Sequence, residues 1–409
     1  MIPAALRANP SGWLVVGFCF AALMAVYATR SSIGLMMPFW EAEPGWTRDH
    51  ASNAGALALL LMAVVSPFAG NLIDRFGPRA VCAGGLCCVA IGVLATAAAT
   101  RDWHLPAFYG GLVGIGSGAI AMPMVSAAIA QYFASGRGLA SGIGFSGATG
   151  GQLVALPVLG LMVTALGWRG TYTALGVATL AIAAVAWLLL RRRPEAAEET
   201  DARALAPVGE RLRYVLSSGT FWLLAIGFLI CGFSTAGVIE VHLIPYAEFC
   251  GFAPIEGATA YGVHGAFNMV GVILAGFLAD RLHRPRLLAS IYFVRVLLFA
   301  MLTQVAGSLP LLFVFAALYG FFNFAAMPVV AHIIASRMGV GVIGLAMGLI
   351  FGGHWLGAAA GAYLGGAFYS LWARYDELWV VAALAVALAG CLSLFVPEDR
   401  RREPALQPA

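Results

Sequence analysis

The chain has 409 residues, of which 61% are hydrophobic and only 10% charged, with a formal net charge of +4. A soluble domain carries roughly a quarter charged residues, so this composition excludes a protein that covers a water-facing surface with its own side chains. All 23 basic residues are arginine, scattered over loops and not gathered into a patch, which argues against nucleic acid as a partner.

A membrane-crossing helix needs about 20 mostly apolar residues. Twelve such stretches are predicted, at 13–38, 51–73, 78–100, 105–133, 139–166, 169–190, 219–247, 258–279, 286–306, 309–335, 341–370 and 377–396. The first apolar run is about 27 residues, whereas the apolar core of a signal peptide is about 7–15, so it is expected to be retained. The long polar stretch 191–213 stands between the sixth and seventh spans. It predicts two six-helix bundles, 1–190 and 219–409, joined by a linker at 191–218.

With the N-terminus placed in the cytoplasm, 17 Arg fall in the inner loops and 4 (Arg48, Arg101, Arg169 and Arg374) in the outer ones. Positive charge favours the cytoplasmic side, so both termini are expected there, in a bacterial inner membrane. The other two, Arg30 and Arg295, lie within spans.

The halves repeat. The second span runs into GNLIDRFGPR (70–79) and the eighth into GFLADRLHRPR (276–286), each reading Gly-x-Leu-x-Asp-Arg before a turn and more Arg. Duplication of this kind is a transporter signature, with substrate held near the bilayer midplane between the repeats. A carboxylate at such a place can pair with Arg and with helix N-terminal amides. Charges that merely set topology are the alternative.

These two loops resemble the signature loop of the major facilitator superfamily and its echo in the second half. The resemblance implies an all-α membrane protein, twelve helices in two pseudo-symmetric halves. It also implies that Asp74, Arg75, Arg79, Asp280, Arg281 and Arg284 gate the cytoplasmic side. Within the superfamily the chain is most similar to monocarboxylate transporters and their bacterial relatives, including oxalate:formate antiporters. Three stretches carry that similarity: the first span with its exit GWTRDHAS, the Arg-Gly-Leu-Ala turn and Gly-rich run of 131–157, and CGFSTAGVIEVHLIPYAEFCGF (231–252). There are departures from the family pattern. Its first-helix Lys falls within one residue of Arg30, its eighth-helix Asp on Asn268 and the following Arg on Val272, and Tyr109-Gly110-Gly111 stands where the superfamily has an Arg.

An ionisable group in the bilayer costs about 2.5–3.5 kcal/mol on insertion scales and usually faces a cavity or a partner. Arg30 is the candidate anion-binding residue, since a guanidinium stays charged and grips a carboxylate with parallel bonds; an ion pair with Glu240 is the alternative. Glu240 and His242, two residues apart, face different ways. Either could carry a proton, by burial of a carboxyl or by the ordinary titration of imidazole. His264 and Asn268, four apart, share a helix face, expected to look into the cavity. His354 lies near midplane among Gly352, Gly353 and Gly357, where it could bind an anion when protonated. Arg295 is assigned a structural or coupling role, and His332 an interfacial position. Tyr27, Tyr109, Gln152, Tyr319 and Asn323 are polar groups on expected cavity helices, each either a ligand contact or an interhelical bond.

No CxxC pair, His-x-x-x-His spacing or clustered carboxylates occur in the loops, so neither a metal nor another cofactor is expected, and an integral membrane enzyme is disfavoured. The sequence therefore points to a monomeric carrier of a small organic anion in the lipid bilayer, a monocarboxylate moved with a proton or by exchange. An exporter of drugs or other hydrophobic compounds on the same fold is the rival.

Overall fold

The structure is a computed structural model, and it describes residues 10–44, 46, 48–133, 136–190, 206–372 and 374–397. The first part of the expected linker, 191–205, and both chain ends lie outside the described residues.

In lipid every backbone N–H and C=O must be satisfied within the protein, which leaves helices as the solution for so apolar a chain. The first half contains α1 (Pro10–Glu41), α2 (Arg48–Phe76) and α3 (Pro78–Ala97). α4 is composite, with a π-helical start Leu105–Val113, then Gly114–Ala119 and Met122–Tyr132. α5 runs from Arg137–Gly150 through the π segment Gly151–Ala155 into the start of Leu156–Leu189. Gly167, with φ 67° and ψ 171°, breaks that last stretch. There α5 ends and α6 begins, and only a residue without Cβ turns the chain so at no steric cost.

A linker helix, Val208–Ser217, precedes the second half. α7 joins Gly219–Gly232, a π segment Phe233–Ile239 and Glu240–Phe249. α8 (Pro254–Ala279) and α9 (Arg284–Leu302) follow. α10 is Leu309–Asn323 and Ala326–Arg337, α11 is Ile343–Trp372, and α12 is Asp376–Leu394. Eleven stretches of described residues qualify as membrane spans by length and composition. Because Gly167 divides one of them and its first part continues the Gly-rich run from Arg137, the crossings number twelve, as the sequence predicts.

The halves meet where glycine removes side chains from helix surfaces. A Cβ on Gly70 (α2) would overlap the carbonyl oxygen of Gly344 (α11), and Gly138 (α5) and Gly276 (α8) stand in the same relation. Further along, Gly348 lies on Ser66 and Pro67, Gly352 on Ala63 and Pro67, and Gly142 on Val272 and Ile273. These contacts run from the Arg-rich end of the bundle, where the duplicated loops sit, toward mid-depth. Small residues of this kind let backbones approach closely in a membrane protein.

The opposite end of the first half is held by side chains. Glu43 accepts hydrogen bonds from the Trp168 indole (2.9 Å) and from Arg169, which also donates to the carbonyl of Ala99 at 3.1 Å. Arg169 and then Trp168 hold the Glu43 carboxyl below its ordinary range against the opposing effect of burial. Trp40, Tyr109, Trp168 and Tyr172 pack edge to face or stacked behind this cluster, with centroids 5.9–6.5 Å apart.

Candidate functional site

Three helices carry π segments that bear or adjoin sequence-predicted residues. Tyr109 lies in the π segment of α4, Gln152 in that of α5, and Glu240 immediately follows that of α7. A π segment widens the helix and leaves backbone groups free for other partners, and such bulges concentrate at functional sites.

Arg30 lies 20 residues into α1, roughly 30 Å along it. Its guanidinium carbon is 4.9 Å from the ring of Tyr27 on its own helix and 4.9 Å from the ring of Trp355 on α11 of the other half. Cation–π contact stabilises a partly desolvated guanidinium, but rings accept no conventional hydrogen bond. The Nη1 atom of Arg30 is buried and has no hydrogen-bond partner, and the same holds for Nε1 of Trp355. Tyr109 fixes the backbone at this point, its hydroxyl donating to the carbonyls of Thr29 (2.7 Å) and Arg30 (3.1 Å).

Glu240 does not close an ion pair with Arg30. Its Oε1 accepts from Nδ2 of Asn323 at 3.2 Å. The fields of both charges nevertheless reach Tyr27 and Tyr261, so they border one region.

Asn323 stands at a break. α10 stops there and resumes at Ala326, because Pro328 supplies no N–H for the carbonyl four residues earlier. The backbone groups left over are met by side chains. The N–H of Phe324 donates to Oδ1 of Asn268 at 3.1 Å. Arg295 donates to the carbonyls of Phe322 (Nε 3.0 Å, and Nη2) and Asn323 (Nη2), and its Nη1 lies 3.2 Å from the sulfur of Cys231. A cation at a helix C-terminus suits the helix dipole, which accounts for a fully buried Arg with carbonyls in place of a carboxylate partner. Replacing Arg295 by Met is therefore expected to unsatisfy two carbonyls at about 1–3 kcal/mol each. The thermal melt of purified protein should fall by several degrees, and Lys should restore part of it; an unchanged melt would refute the capping role.

α4 breaks at the matching place. Ile120 and Ala121 leave helical geometry before Pro123, and Ser66 of α2 donates to the carbonyl of Gly118 at 3.3 Å. Ala-Met-Pro occurs at 121–123 and again at 326–328.

The duplicated loops cross between halves at the Arg-rich end. Asp74 accepts from the amides of Gly344 (2.7 Å) and Leu345 (2.8 Å) in the first turn of α11, and from Nη2 of Arg211 at 2.6 Å. Asp280 accepts from the amides of Gly138 (2.8 Å) and Leu139 (2.9 Å) in the first turn of α5. Nδ1 of His332 is 3.3 Å from Asp280, but angled so that no hydrogen bond forms. Two pseudo-symmetric carboxylate clasps thus join the halves at this end.

A family model for the Major Facilitator Superfamily matches residues 19–308. The chain belongs to the Major Facilitator Superfamily. It is 28% identical to the MFS-type transporter YcxA of Bacillus subtilis, over 97% of this chain and 99% of that protein. Monocarboxylate transporter 13 of Rattus norvegicus is 27% identical over 93% of this chain and 87% of its own length. Among solved structures, the E. coli fucose:proton symporter superposes with a TM-score of 0.76 at 14% identity, covering 95% of this chain and all of that one. The human organic anion transporter MFSD10 gives 0.73 at 17%, covering 94% and 100%. These two share the fold. The protein is thus a multi-pass MFS transporter, and its family and structural neighbours are transporters, not enzymes.

Within this MFS frame the residues singled out from sequence divide into groups. Arg30, Tyr27 and Glu240 lie about one region, together with Tyr261. Gln152 is half-buried beside Gly151, which packs on the α1 backbone at Met24 and Ala28. Tyr109 braces α1, and the Tyr319 hydroxyl donates to the carbonyl of Ser234 at 3.1 Å. The α8 face carrying His264 and Asn268, expected to look into a cavity, is covered by α10. Gly271 lies on the carbonyl of Phe321 and Gly320 on that of His264, and both side chains are buried. His264 stacks between Tyr261 and Tyr319 (5.6 and 6.2 Å). His354 is packed among Phe228, Phe351 and Trp355 at 5.1–5.7 Å, with Nδ1 unpartnered. His242 turns toward α11, Nε2 lying 3.2 Å from the carbonyl of Ala362 against Gly365.

Of the loop arginines, Arg79 donates to the carbonyl of Trp187 (2.6 Å) and lies over its ring. Arg284 reaches the Ala279 carbonyl (3.3 Å) and Ser336 (3.4 Å). Arg75 and Arg281 lie over Phe76 and Phe277. These contacts stay within one half, whereas the two aspartates reach across. Sequence reasoning passed over Trp355, whose neighbour His354 drew the attention, and Arg211, counted only as a loop charge. It also passed over the helix breaks, which the repeated Ala-Met-Pro signals.

Proposed function

We propose that this MFS transporter carries a small organic anion, with a monocarboxylate as the first candidate, and moves it by alternating access. The observation that carries the reading is Arg30: a guanidinium well inside α1, flanked by an aromatic ring from each half, with a buried N–H that no protein group accepts. Arg30 as a whole is half-buried, but an enclosed N–H without an acceptor is costly, and an incoming carboxylate supplies the missing acceptor. The similarity to monocarboxylate transporter 13 agrees with that charge preference.

In this reading Glu240 carries the coupled proton. Its charge acts on Tyr27 and Tyr261, as that of Arg30 does, and its bond to Asn323 ties its charge state to the break in α10. The units that rock are 1–190 and 219–409, joined through 191–218. In this reading the Arg-rich end faces the cytoplasm with both termini, in a bacterial inner membrane, and the clasps close the cytoplasmic side.

Purified protein should melt at a higher temperature in acetate, pyruvate, lactate or benzoate, because a ligand bound only by the folded state stabilises it by mass action. The corresponding neutral amides should give no shift. Equal protection by acids and amides would remove the anion and leave the hydrophobic-compound reading standing.

A further inference from the structure

The two clasps are completed differently. Beside Asp280 stands His332, a residue of α10 in the same half. Beside Asp74 stands Arg211, which belongs to neither bundle but to the linker helix Val208–Ser217. Its side chain is only 2% exposed, although Val208, Gly209 and Glu210 around it are exposed. Nη1 donates to Oδ1 of Asn71 at 3.0 Å and Nη2 to Asp74 at 2.6 Å, so the guanidinium spans two residues of α2. One turn on, the Tyr214 hydroxyl reaches the carbonyl of Met338, at the turn between α10 and α11 (3.5 Å), and Val215 is fully buried. A single ten-residue helix thus touches α2 of the first half and the α10–α11 turn of the second.

We infer that the linker helix is a working part of the gate, with Arg211 as the positioning residue that keeps Asp74 seated on the Gly344 and Leu345 amides. The Asp74 carboxylate is 1% exposed. A carboxylate so enclosed is tolerable only while charge-assisted donors surround it. Two of those donors sit on α11 and the third comes from the linker helix, all C-terminal to the first half. Parting the halves removes the α11 amides from Asp74 and admits water in their place. Arg211 therefore favours the closed state over the open one, where solvent does the same work. Losing it leaves the closed state with an under-compensated buried charge and leaves the open state nearly unaffected. Linker geometry would then set how readily the Arg-rich end opens, through a site remote from Arg30.

Hydrogen exchange on the full-length protein in lipid nanodiscs tests this without any substrate. The readouts are the amides of Gly344 and Leu345, held by Asp74, and those of Gly138 and Leu139, held by Asp280 at the other clasp, where no Arg211 contact occurs. In Arg211→Gln both pairs should exchange about fivefold faster or more, the smallest effect expected of a 1 kcal/mol shift in a two-state equilibrium. Arg211→Lys should lie between, because an ammonium cannot serve Asn71 and Asp74 in one fork. Acceleration confined to Gly344 and Leu345 would mean a lost local contact without opening, and would overturn the inference, as would no change at either clasp. If the Gln protein does not fold, the Lys variant decides alone: faster exchange at both clasps supports the inference, and wild-type exchange at Gly138 and Leu139 overturns it.

Discussion

Arg30→Ala is expected to abolish carboxylate transport. A carboxylate gripped by a guanidinium gains charge-assisted hydrogen bonds worth about 1.5–3 kcal/mol each. Losing even the equivalent of 3 kcal/mol lowers affinity roughly a hundredfold, since 1.4 kcal/mol is a factor of ten. Arg30→Lys keeps the charge but not the fork, and its ammonium would not lie flat against Tyr27 and Trp355; it should recover a minor part of the activity. The measurement is uptake of radiolabelled pyruvate and lactate into proteoliposomes, alongside the acid-induced melting shift. Because the protein gives Nη1 no acceptor, removing the side chain breaks no hydrogen bond of that atom, and the apo melt should stay close to wild type. Undiminished carboxylate uptake by the alanine protein would remove the assignment. A collapse of the apo melt would mean instead that Arg30 is structural.

The second large effect belongs to Gly70. Its missing Cβ is what allows α2 to lie on the backbone of Gly344, and the obstructing atom is a carbonyl oxygen, which cannot swing away as a side chain could. Gly70→Ala must push the two helices apart at the clasp, just where Asp74 meets the Gly344 amide. Overpacking of this kind costs typically 1–3 kcal/mol, here charged only to the state in which the Arg-rich end is shut. A shift of that size redistributes two conformations by about 5–150-fold. Net transport should fall by an order of magnitude, while spin-label distances across the Arg-rich end lengthen. Gly344→Ala should reproduce the effect from the other side. Gly84→Ala, where a Cβ meets nothing within 4 Å, is the control. If Gly70→Ala transported normally, the backbone contact at the clasp would not limit closure.

The spans were readable because lipid imposes a length and a composition on every crossing, and the observed helices start and stop within a few residues of the apolar runs. The aspartates of the clasps were readable because duplication marked them twice. What remained hidden depended on neighbours distant in sequence. The spacing of His264 and Asn268 fixes a shared face but not what covers it, and Gly271 with Gly320 let α10 close over it. Arg211 sat in a polar stretch that reads as a hinge by composition; only the fold shows its guanidinium tucked under α2. The α10 break was legible in principle from its Ala-Met-Pro echo in α4. Its cap was not, since Arg295 reaches it from another helix.

Among the described residues of the first half, no arginine caps the α4 break. Counting from the paired aspartates, and allowing for the one-residue longer turn after Asp280, Arg295 corresponds to Cys88. The α4 interruption is left to a neutral hydroxyl, while the α10 interruption is riveted by a delocalised cation. The duplicated bundles have therefore diverged in compliance: elastic bending during the cycle should concentrate in α4, with the second half turning as the stiffer body.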